Sequence, residues 1–331
     1  MCIRDSVILT PQSMTDIEAI AEAVCEVHER TDKPIACSFM GATDVRAGID
    51  ILQAAHIPHY VLPEWAARAM ADVQRVRRWR EQPQGEAEPL PIDEAAVRAI
   101  VADAPDGYLR EDQALAALDA YGLPVPAWKV ARDADEAAAC ADAIGYPVVL
   151  RVLSPQVVHK SEVGGVALDL ADAGAVRAAF DAMAASVAEK APDAIVEGVL
   201  VRRMIPQGHE VIVGAKRDPV FGPTLMFGLG GIYVELLRDV TFALAPVAPA
   251  VAAHMVRAIR AQGVLTGARG RKPADLASIE ECLRRVGQLV SDHPRIAELD
   301  INPLIVGPAG QGSTVADARI RLGAAAGQPE S

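Results

Sequence analysis

The sequence has no Cys-x-x-Cys pair, and its five cysteines, at positions 2, 25, 37, 140 and 282, lie far apart. That spacing indicates neither a disulfide framework nor a cysteine-based zinc site and fits reduced thiols in a cytoplasmic protein. No apolar run approaches the roughly 20 residues of a membrane-spanning helix. The opening hexapeptide MCIRDS has neither the apolar core nor the cleavage site of a signal peptide. Positive charge is not in excess either: the formal charge is −12 and the acids are scattered along the chain. A nucleic-acid surface is therefore not expected, although a local basic pocket for a small anion is compatible with this balance. A G-x-G-x-x-G fingerprint opening a strand–helix unit is absent as well.

What is present describes a globular α/β chain. With 331 residues, 51% of them hydrophobic and 23% charged, there is material for two domains with sizeable cores. The first segment begins on a strand fragment, Val7-Ile8-Leu9, behind an unrelated hexapeptide, as expected of a chain cut from a longer protein. Thr15 and Glu18 form a capping-box pattern before a helix ending near Arg30. A strand over 34–39, a turn at Gly41 and Thr43 into a helix over 45–55, a strand over 57–62 and a helix from Pro63 to about Trp79 follow. Strand–helix alternation of this kind predicts a parallel sheet. His28, His56 and His59 have no partner at ligand spacing and read as packing or surface residues. Residues 81–94 include EQPQGEAEPLP, a proline-rich acidic linker.

Beyond the linker, helices are expected over 95–104 and 111–121, the second closed by Gly122, with an edge strand over 125–130 and a helix over 133–144. The stretch PVVLRVLSPQVVHKSEVGGVAL, residues 147–168, concentrates the chemistry. A β-branched strand stops at Ser154-Pro155, and a polar loop with His159, Lys160 and the pair Gly164-Gly165 precedes a second apolar run. Paired glycines allow close approach of backbone amides to phosphate oxygens. Arg151 and Lys160 add positive charge, and His159 adds a nucleophile or base. An ordinary hairpin turn bearing charges is the plain alternative.

A long helix over 173–190 leads to a half-buried strand over 195–205, which is expected to pair with a strand over 209–216 through Pro206-Gln207-Gly208. Glu210 is either a ribose-binding carboxylate or a solvated strand-end charge. The apolar strand from Phe221 opens into glycines that include Gly230 and Gly231, a candidate second backbone cradle. A helix over 249–262 precedes the basic loop TGARGR. In RIAELDINPLIV, residues 295–306, Glu298, Asp300 and Asn302 alternate onto one strand face, and a hairpin returns Asp317 toward them. Crowded carboxylates on an apolar sheet need compensation. A hard cation such as Mg²⁺ on oxygen ligands supplies it, as would ion pairs with Arg295 and Arg319.

Taken together, these motifs resemble the nucleotide-binding part of the NDP-forming acyl-CoA synthetases, relatives of succinyl-CoA synthetase. YPVVLRVLSPQVVHKSEVGGV, HEVIVGAKRDPVFGPTLMFGLGGIYVE, LTGARG and ELDINPL…VADARI carry the likeness over about 109–322, and TPQSMTD, KPIACSFMG and IPHYVLPE carry it over 7–80. The resemblance implies a partial flavodoxin-like parallel sheet, the end of a ligase-type domain, over 7–80. It also implies a linker over 81–94, a two-lobed ATP-grasp domain over 95–322 and a flexible tail over 323–331.

It further implies interconversion of acyl-CoA, ADP and phosphate with acid, CoA and ATP through a phosphohistidine. His159 then matches the phosphoryl-accepting histidine, and Gly164 and Gly165 the phosphate-covering loop. Lys160, Gly230 and Gly231 join the nucleotide site, with Glu210 on the ribose and Val201, Arg203 and Met204 along the adenine hinge. Asp300, Asn302 and Asp317 match the Mg²⁺ ligands. Arg151 stands where the family usually has a phosphate-binding lysine. CoA falls to amino-terminal domains not found in this sequence, supplied in cis or by another subunit of an oligomer. The alternative is a regulatory, ligand-binding module of an acetyltransferase fusion, and a carboxylate–amine ligase is a more distant one.

Overall fold

The structure, a computed structural model, describes residues 5–12, 14–41, 45–81, 85–154, 156–157, 160–231, 239–267 and 272–323. His159, Thr43, Arg269, Arg271 and the tail from 324 onward fall outside the described residues. The chain divides into two compact units, residues 1–83 and 84–331.

In the first unit, strands β1 (Asp5–Leu9) and β2 (Ile35–Phe39) pair in parallel from Asp5 opposite Ile35 to Leu9 opposite Phe39. Helices α1 (Ile17–Glu29), α2 (Arg46–Ala54) and α3 (Pro63–Glu81) complete the described elements of this unit. All five residues of β2 are buried, as befits a parallel strand with both faces covered. Ile17, Ala21, Cys37, Phe39, Leu52 and Ile57 form its core.

Two expectations fail here for local reasons. Asp16, not Thr15, caps α1 by accepting from the Ala19 amide at 3.1 Å, while the Thr15 hydroxyl accepts from the Gln12 amide at 2.9 Å. The expected strand over 57–62 shrinks to a single parallel bridge between Cys37 and His59, hemmed in by Pro58 and by Pro63 at the head of α3. His59 packs as expected, its ring 6.3 Å from that of Phe39 and its Nε2 accepting from the Phe39 amide at 3.2 Å.

The second unit holds two antiparallel sheets. Four strands run in the order β4 (Trp128–Ala131), β7 (Gly198–Arg203), β5 (Val148–Leu153) and β6 (Val166–Leu170). Helices α6 (Ala134–Ile144) and α7 (Ala173–Lys190) lie on this sheet, and Ala137, Leu150, Val152, Val176, Met183 and Val201 make its core. The larger sheet orders β10 (Val240–Leu244), β9 (Gly222–Leu229), β8 (His209–Asp218), β11 (Ile296–Val306), β13 (Ala318–Leu322) and β3 (Gly107–Tyr108), with β12 (Ser313–Val315) also on β11. Helices α4 (Glu94–Asp103), α5 (Glu111–Ala120), α8 (Pro249–Ala258), α9 (Gln262–Leu265) and α10 (Leu276–Asp292) complete the described elements of the unit. Gly122 after α5 takes the left-handed φ of +68° that its place predicts.

Strands β7 and β8 do not form the expected hairpin. Both edges of β7 are taken, by β4 and β5, so the chain after Pro206 carries β8 into the other sheet between β9 and β11. Flanked in this way, β7 is buried over its first five residues rather than half-buried. The helix expected over 249–262 breaks after Ala258 because the Asp239 carboxylate takes the amides of Arg260 and Ala261 at 2.8 and 2.7 Å. Helix α10, which the sequence reading leaves out, buries Ile279, Cys282, Leu283, Val286, Leu289 and Val290 at helical spacing against the large sheet. Among the described residues, no helix is long and apolar enough to cross a membrane.

Candidate functional site

The pleat of β5 decides which of its side chains can meet a ligand. Leu150 and Val152 enter the core under the helices, so Arg151 between them faces the other way. Glu111 comes from the first turn of α5, where an acid suits the helix dipole. Long-range pairing then gathers three cations on it. Arg202 of β7 donates from Nη1 to Glu111 Oε1 at 3.2 Å and from Nη2 to the Val315 carbonyl at 3.0 Å. Lys160 pairs with Glu111 Oε2.

Arg151 Nε lies 3.0 Å from Glu111 Oε1 but makes no hydrogen bond there, so the contact has the distance of an ion pair without the alignment of a donor. Its Nη2 donates to Asp317 Oδ1 at 3.2 Å.

The Glu111 side chain is only 7% exposed. Burial pushes its carboxyl up, but Arg151, Lys160 and Arg202 together outweigh burial and hold it below the ordinary glutamate value. For Arg202 burial dominates and pulls the guanidinium down, with Glu111 opposing.

Asp317 sits between β12 and β13. Its carbonyl accepts from the Asn302 amide at 3.0 Å, and its Oδ1 also accepts from the Ala318 amide at 3.1 Å. Asp300 on β11 lies in register with Arg319 on β13 and Gly214 on β8. Burial pushes the Asp300 carboxyl up, Arg319 opposes, and Asp317 and Glu298 add to the rise. The ion pair of Glu298 is with Arg321, at 3.3 Å, and Arg295 pairs instead with Asp106 at 2.8 Å. Arg321 thus answers Glu298, and Arg319 is the cation that faces Asp300.

Three cavities meet around these residues. One of about 610 Å³ is lined by Val149, Arg151, Arg203, Met204 and Glu210 among others. A second, of about 400 Å³, is lined by Arg110, Glu111, Arg151, Ser154, Lys160 and Asp317 among others. A third, of about 170 Å³, is lined by Asp300, Asn302, Asp317, Ala318 and Arg319. Arg151 is on the wall common to the first two, and Asp317 and Arg319 are common to the last two.

Of the four glycines expected to offer backbone cradles, three, Gly164, Gly165 and Gly230, have amides bonded to carbonyls of the chain. The amides of Gly164 and Gly165 donate to the carbonyls of Ser161, at 3.3 Å, and Lys160, at 2.7 Å, closing the turn rather than facing a cavity. A side chain on Gly165 would meet Val152 Cγ1 at 2.5 Å, so this glycine lets the loop lie against β5. The Gly230 amide donates to the Glu210 carbonyl at 2.8 Å. At Gly231, with φ +62°, a Cβ would stand 3.0 Å from Glu210 Oε2. These two glycines therefore seat Glu210 at its cavity.

Val201 is fully buried in the small-sheet core and lines no cavity described above, whereas Arg203 and Met204 do line one. The Met204 amide donates to the Pro147 carbonyl at 3.0 Å. Glu111 and Arg202 were not anticipated as site residues. A charge inside the apolar run of β7 was a signal for Arg202, but nothing local marks Glu111.

Residues 100–322 match the ATP-grasp domain family. The chain is 44% identical over 231 residues to the β subunit of the ADP-forming acetate–CoA ligase I of Pyrococcus furiosus, covering 69% of this chain and 98% of that subunit. It is 40% identical over 322 residues to the ADP-forming acetate–CoA ligase I of Archaeoglobus fulgidus, covering 96% of this chain but 45% of that protein. The chain thus spans a little under half the length of that relative. A structural neighbour is the dinucleotide-forming acetyl-coenzyme A synthetase 1 of Ca. Korarchaeum cryptofilum in complex with coenzyme A, Ca-AMPCP and HgCl⁺, at a TM-score of 0.66 and 41% identity over 70% of this chain and 100% of that one. The same protein has been solved with coenzyme A and Mg-AMPPCP, its phosphohistidine segment pointing towards the nucleotide site, at a TM-score of 0.60 and 38% identity over 70% of this chain and 100% of that one. By the domain match and the coverage of a whole β subunit, this chain belongs to the ATP-grasp family and, within it, to the ADP-forming acyl-CoA ligases.

Proposed function

We propose that this chain is the nucleotide-binding, phosphoryl-transfer part of an acid–CoA ligase that converts acyl-CoA, ADP and phosphate into acid, CoA and ATP, and the reverse. The observation that carries the proposal is the place of Arg151, on the wall between the cavity that holds Glu210 and the one that holds Lys160, with its guanidinium on Asp317. In this reading the nucleoside occupies the 610 Å³ cavity, with the ribose hydroxyls on Glu210 and the base along Arg203 and Met204. The phosphate chain lies toward Arg151 and Lys160. One cation on the shared wall, Arg151, and a second beyond it, Lys160, suit a polyphosphate, because phosphoryl transfer is governed by alignment and charge neutralisation.

Asp300, Asn302 and Asp317 fit Mg²⁺: two carboxylates and an amide oxygen are hard donors lining one small cavity, and Arg319 opposes but does not outweigh the burial of Asp300. When bound there, Mg²⁺ would neutralise charge on the nucleotide's phosphate oxygens.

His159, which lies outside the described residues, is proposed as the phosphoryl acceptor. A neutral ring nitrogen attacks the γ-phosphorus, a nitrogen–phosphorus bond forms, and the bond to the β,γ-bridging oxygen breaks. ADP carries away the electron pair. Return of the phosphoryl group from His159 to ADP regenerates ATP. The domains that bind CoA and the acid would be supplied in cis or as a separate subunit of a cytoplasmic oligomer.

Incubation with γ-labelled ATP and Mg²⁺ tests the reading. Acid-labile label on the wild-type chain and none on His159→Ala is the expected result. Label that survives the substitution, or never appears, overturns it.

A further inference from the structure

Arg151 holds two carboxylates from separate parts of the chain with different nitrogens. Nε is 3.0 Å from Glu111 on α5, and Nη2 is 3.2 Å from Asp317 between β12 and β13. A planar guanidinium can reach in two directions in this way, whereas an ammonium is a single point of charge. The reach is imperfect. Nε is buried without a hydrogen bond, although a carboxylate oxygen lies beside it. A buried donor left unsatisfied is costly. Nε already has the distance of a hydrogen bond to Glu111 and lacks only the alignment, which a guanidinium released from Asp317 could adopt.

Asp317 is also the carboxylate that the 400 Å³ and 170 Å³ cavities share, and in the reading above it is a ligand of the divalent cation. Its Oδ1 already receives Arg151 and the Ala318 amide. A divalent cation beside Asp300 and Asn302 would share Asp317 with a guanidinium, and like charges at such range repel strongly. Glu111 is the obvious place for Arg151 to go. It is buried, it is paired with Lys160 and Arg202 as well as with Arg151, and it already lies beside Nε.

We infer that the Arg151 guanidinium and a divalent cation compete for Asp317, and that Glu111 is the positioning residue onto which Arg151 retreats. The competition links two binding events. Without a cation, Arg151 neutralises Asp317. With one bound, Arg151 rests on Glu111, still on the wall of the nucleotide cavity and free to receive a phosphate. The arginine at this position is then more than a stand-in for lysine, because its fork serves as a removable counter-charge for a metal ligand. The inference rests on the assignment of Asp300, Asn302 and Asp317 as the cation site, and the test separates the two.

The test is titration of the whole chain with Mn²⁺ without nucleotide, reading free Mn²⁺ by electron paramagnetic resonance, with folding of each variant checked by circular dichroism. Arg151→Gln should bind Mn²⁺ about tenfold more tightly than wild type, as expected when one nearby like charge is removed. Arg151→Lys should fall between the two. Glu111→Gln should bind more weakly, because Arg151 then has only Asp317 to lean on. Asp317→Asn should lose the site. If Asp317→Asn loses the site while Arg151→Gln and Arg151→Lys bind no more tightly than wild type, the competition is overturned and the cation site stands. If Asp317→Asn binds as wild type does, the cation site falls, and the competition with it. Should Glu111→Gln fail to fold, the two Arg151 variants decide the matter, since Arg151 is partly exposed and less deeply embedded.

Discussion

The Arg202 guanidinium donates to the Glu111 carboxylate at 3.2 Å across 91 positions of sequence, tying strand β7 of the small sheet to the first turn of α5. Both side chains are buried, at 4% and 7% exposure, so this pair is a fixed strut between the small sheet and α5 rather than a surface ion pair. The more exposed partners of the same carboxylate, Arg151 and Lys160, are the ones free to answer a ligand.

Loss of Glu111 should therefore be severe. Glu111→Ala leaves three cations without their shared acid, and breaking a buried ion pair by removing one partner costs about 3–5 kcal/mol. The pH dependence has a definite sign. The Glu111 carboxyl is held below its ordinary value of 4.5 in the folded state, so its stabilisation is complete above that pH and is lost as pH falls through the depressed value. Urea unfolding of wild type and Glu111→Gln should show a gap that is constant near neutrality and closes below pH 4.5. A gap that widens on acidification would contradict the assignment.

A second buried network lies at the far end of α5. The Tyr121 hydroxyl donates to Asp292 at 3.0 Å and meets His293 Nε2 at 2.8 Å, with Tyr121 fully buried and His293 nearly so. Tyr121→Phe should cost about 1–2 kcal/mol in urea unfolding, the loss of bonds to a buried partner. Burial lowers the proton affinity of His293, with Asp292 opposing. The unfolded chain therefore takes up that proton first, and stability should decline as pH falls below the ordinary histidine value of 6.5. His293→Gln should flatten that part of the profile, which thermal melts from pH 7.5 to 5.5 can follow.

At the cavity proposed for the nucleotide, Gly231→Ala should weaken ADP binding more than it weakens the fold. The added Cβ would stand 3.0 Å from Glu210 Oε2, in backbone with φ +62°, and must push that carboxylate aside. Glu210→Gln should weaken ADP by about 10-fold or more, the value of a hydrogen bond to a charged group. Isothermal titration calorimetry with ADP and with 2′,3′-dideoxy-ADP checks both, because a ribose-specific defect disappears when the hydroxyls are absent. A defect equal for the two nucleotides would remove Glu210 from the ribose.

The parts of this chain that were legible in its sequence are those governed by neighbours along the chain. The β-branched run of β5, the alanine-rich α6, the long α7 and the alternation of β11 each declare their own period, and all four stand close to where they were expected. Sheet membership was not legible. Pro206-Gln207-Gly208 has the chemistry of a hairpin turn, yet β8 was free to join β11 only because β4 and β5 already held both edges of β7. The site divides in the same way. Arg151, Lys160, Glu210 and the acids near Asp300 are marked by charge set into apolar strands or beside glycines. Glu111 looks like any acid at a helix start, and its importance comes from partners 49 and 91 positions away. Helix α10 does declare its period, through Ile279, Leu283, Val286 and Val290.

The most direct measurement is isotope exchange between labelled ADP and unlabelled ATP, with Mg²⁺ and without acid, CoA or acyl-CoA. Transfer through His159 predicts label appearing in ATP for the wild-type chain, none for His159→Ala, and a sharply reduced rate for Asp317→Asn. Exchange that proceeds equally in His159→Ala, or a wild-type chain that binds ADP yet exchanges nothing, would contradict the phosphohistidine reading at its centre.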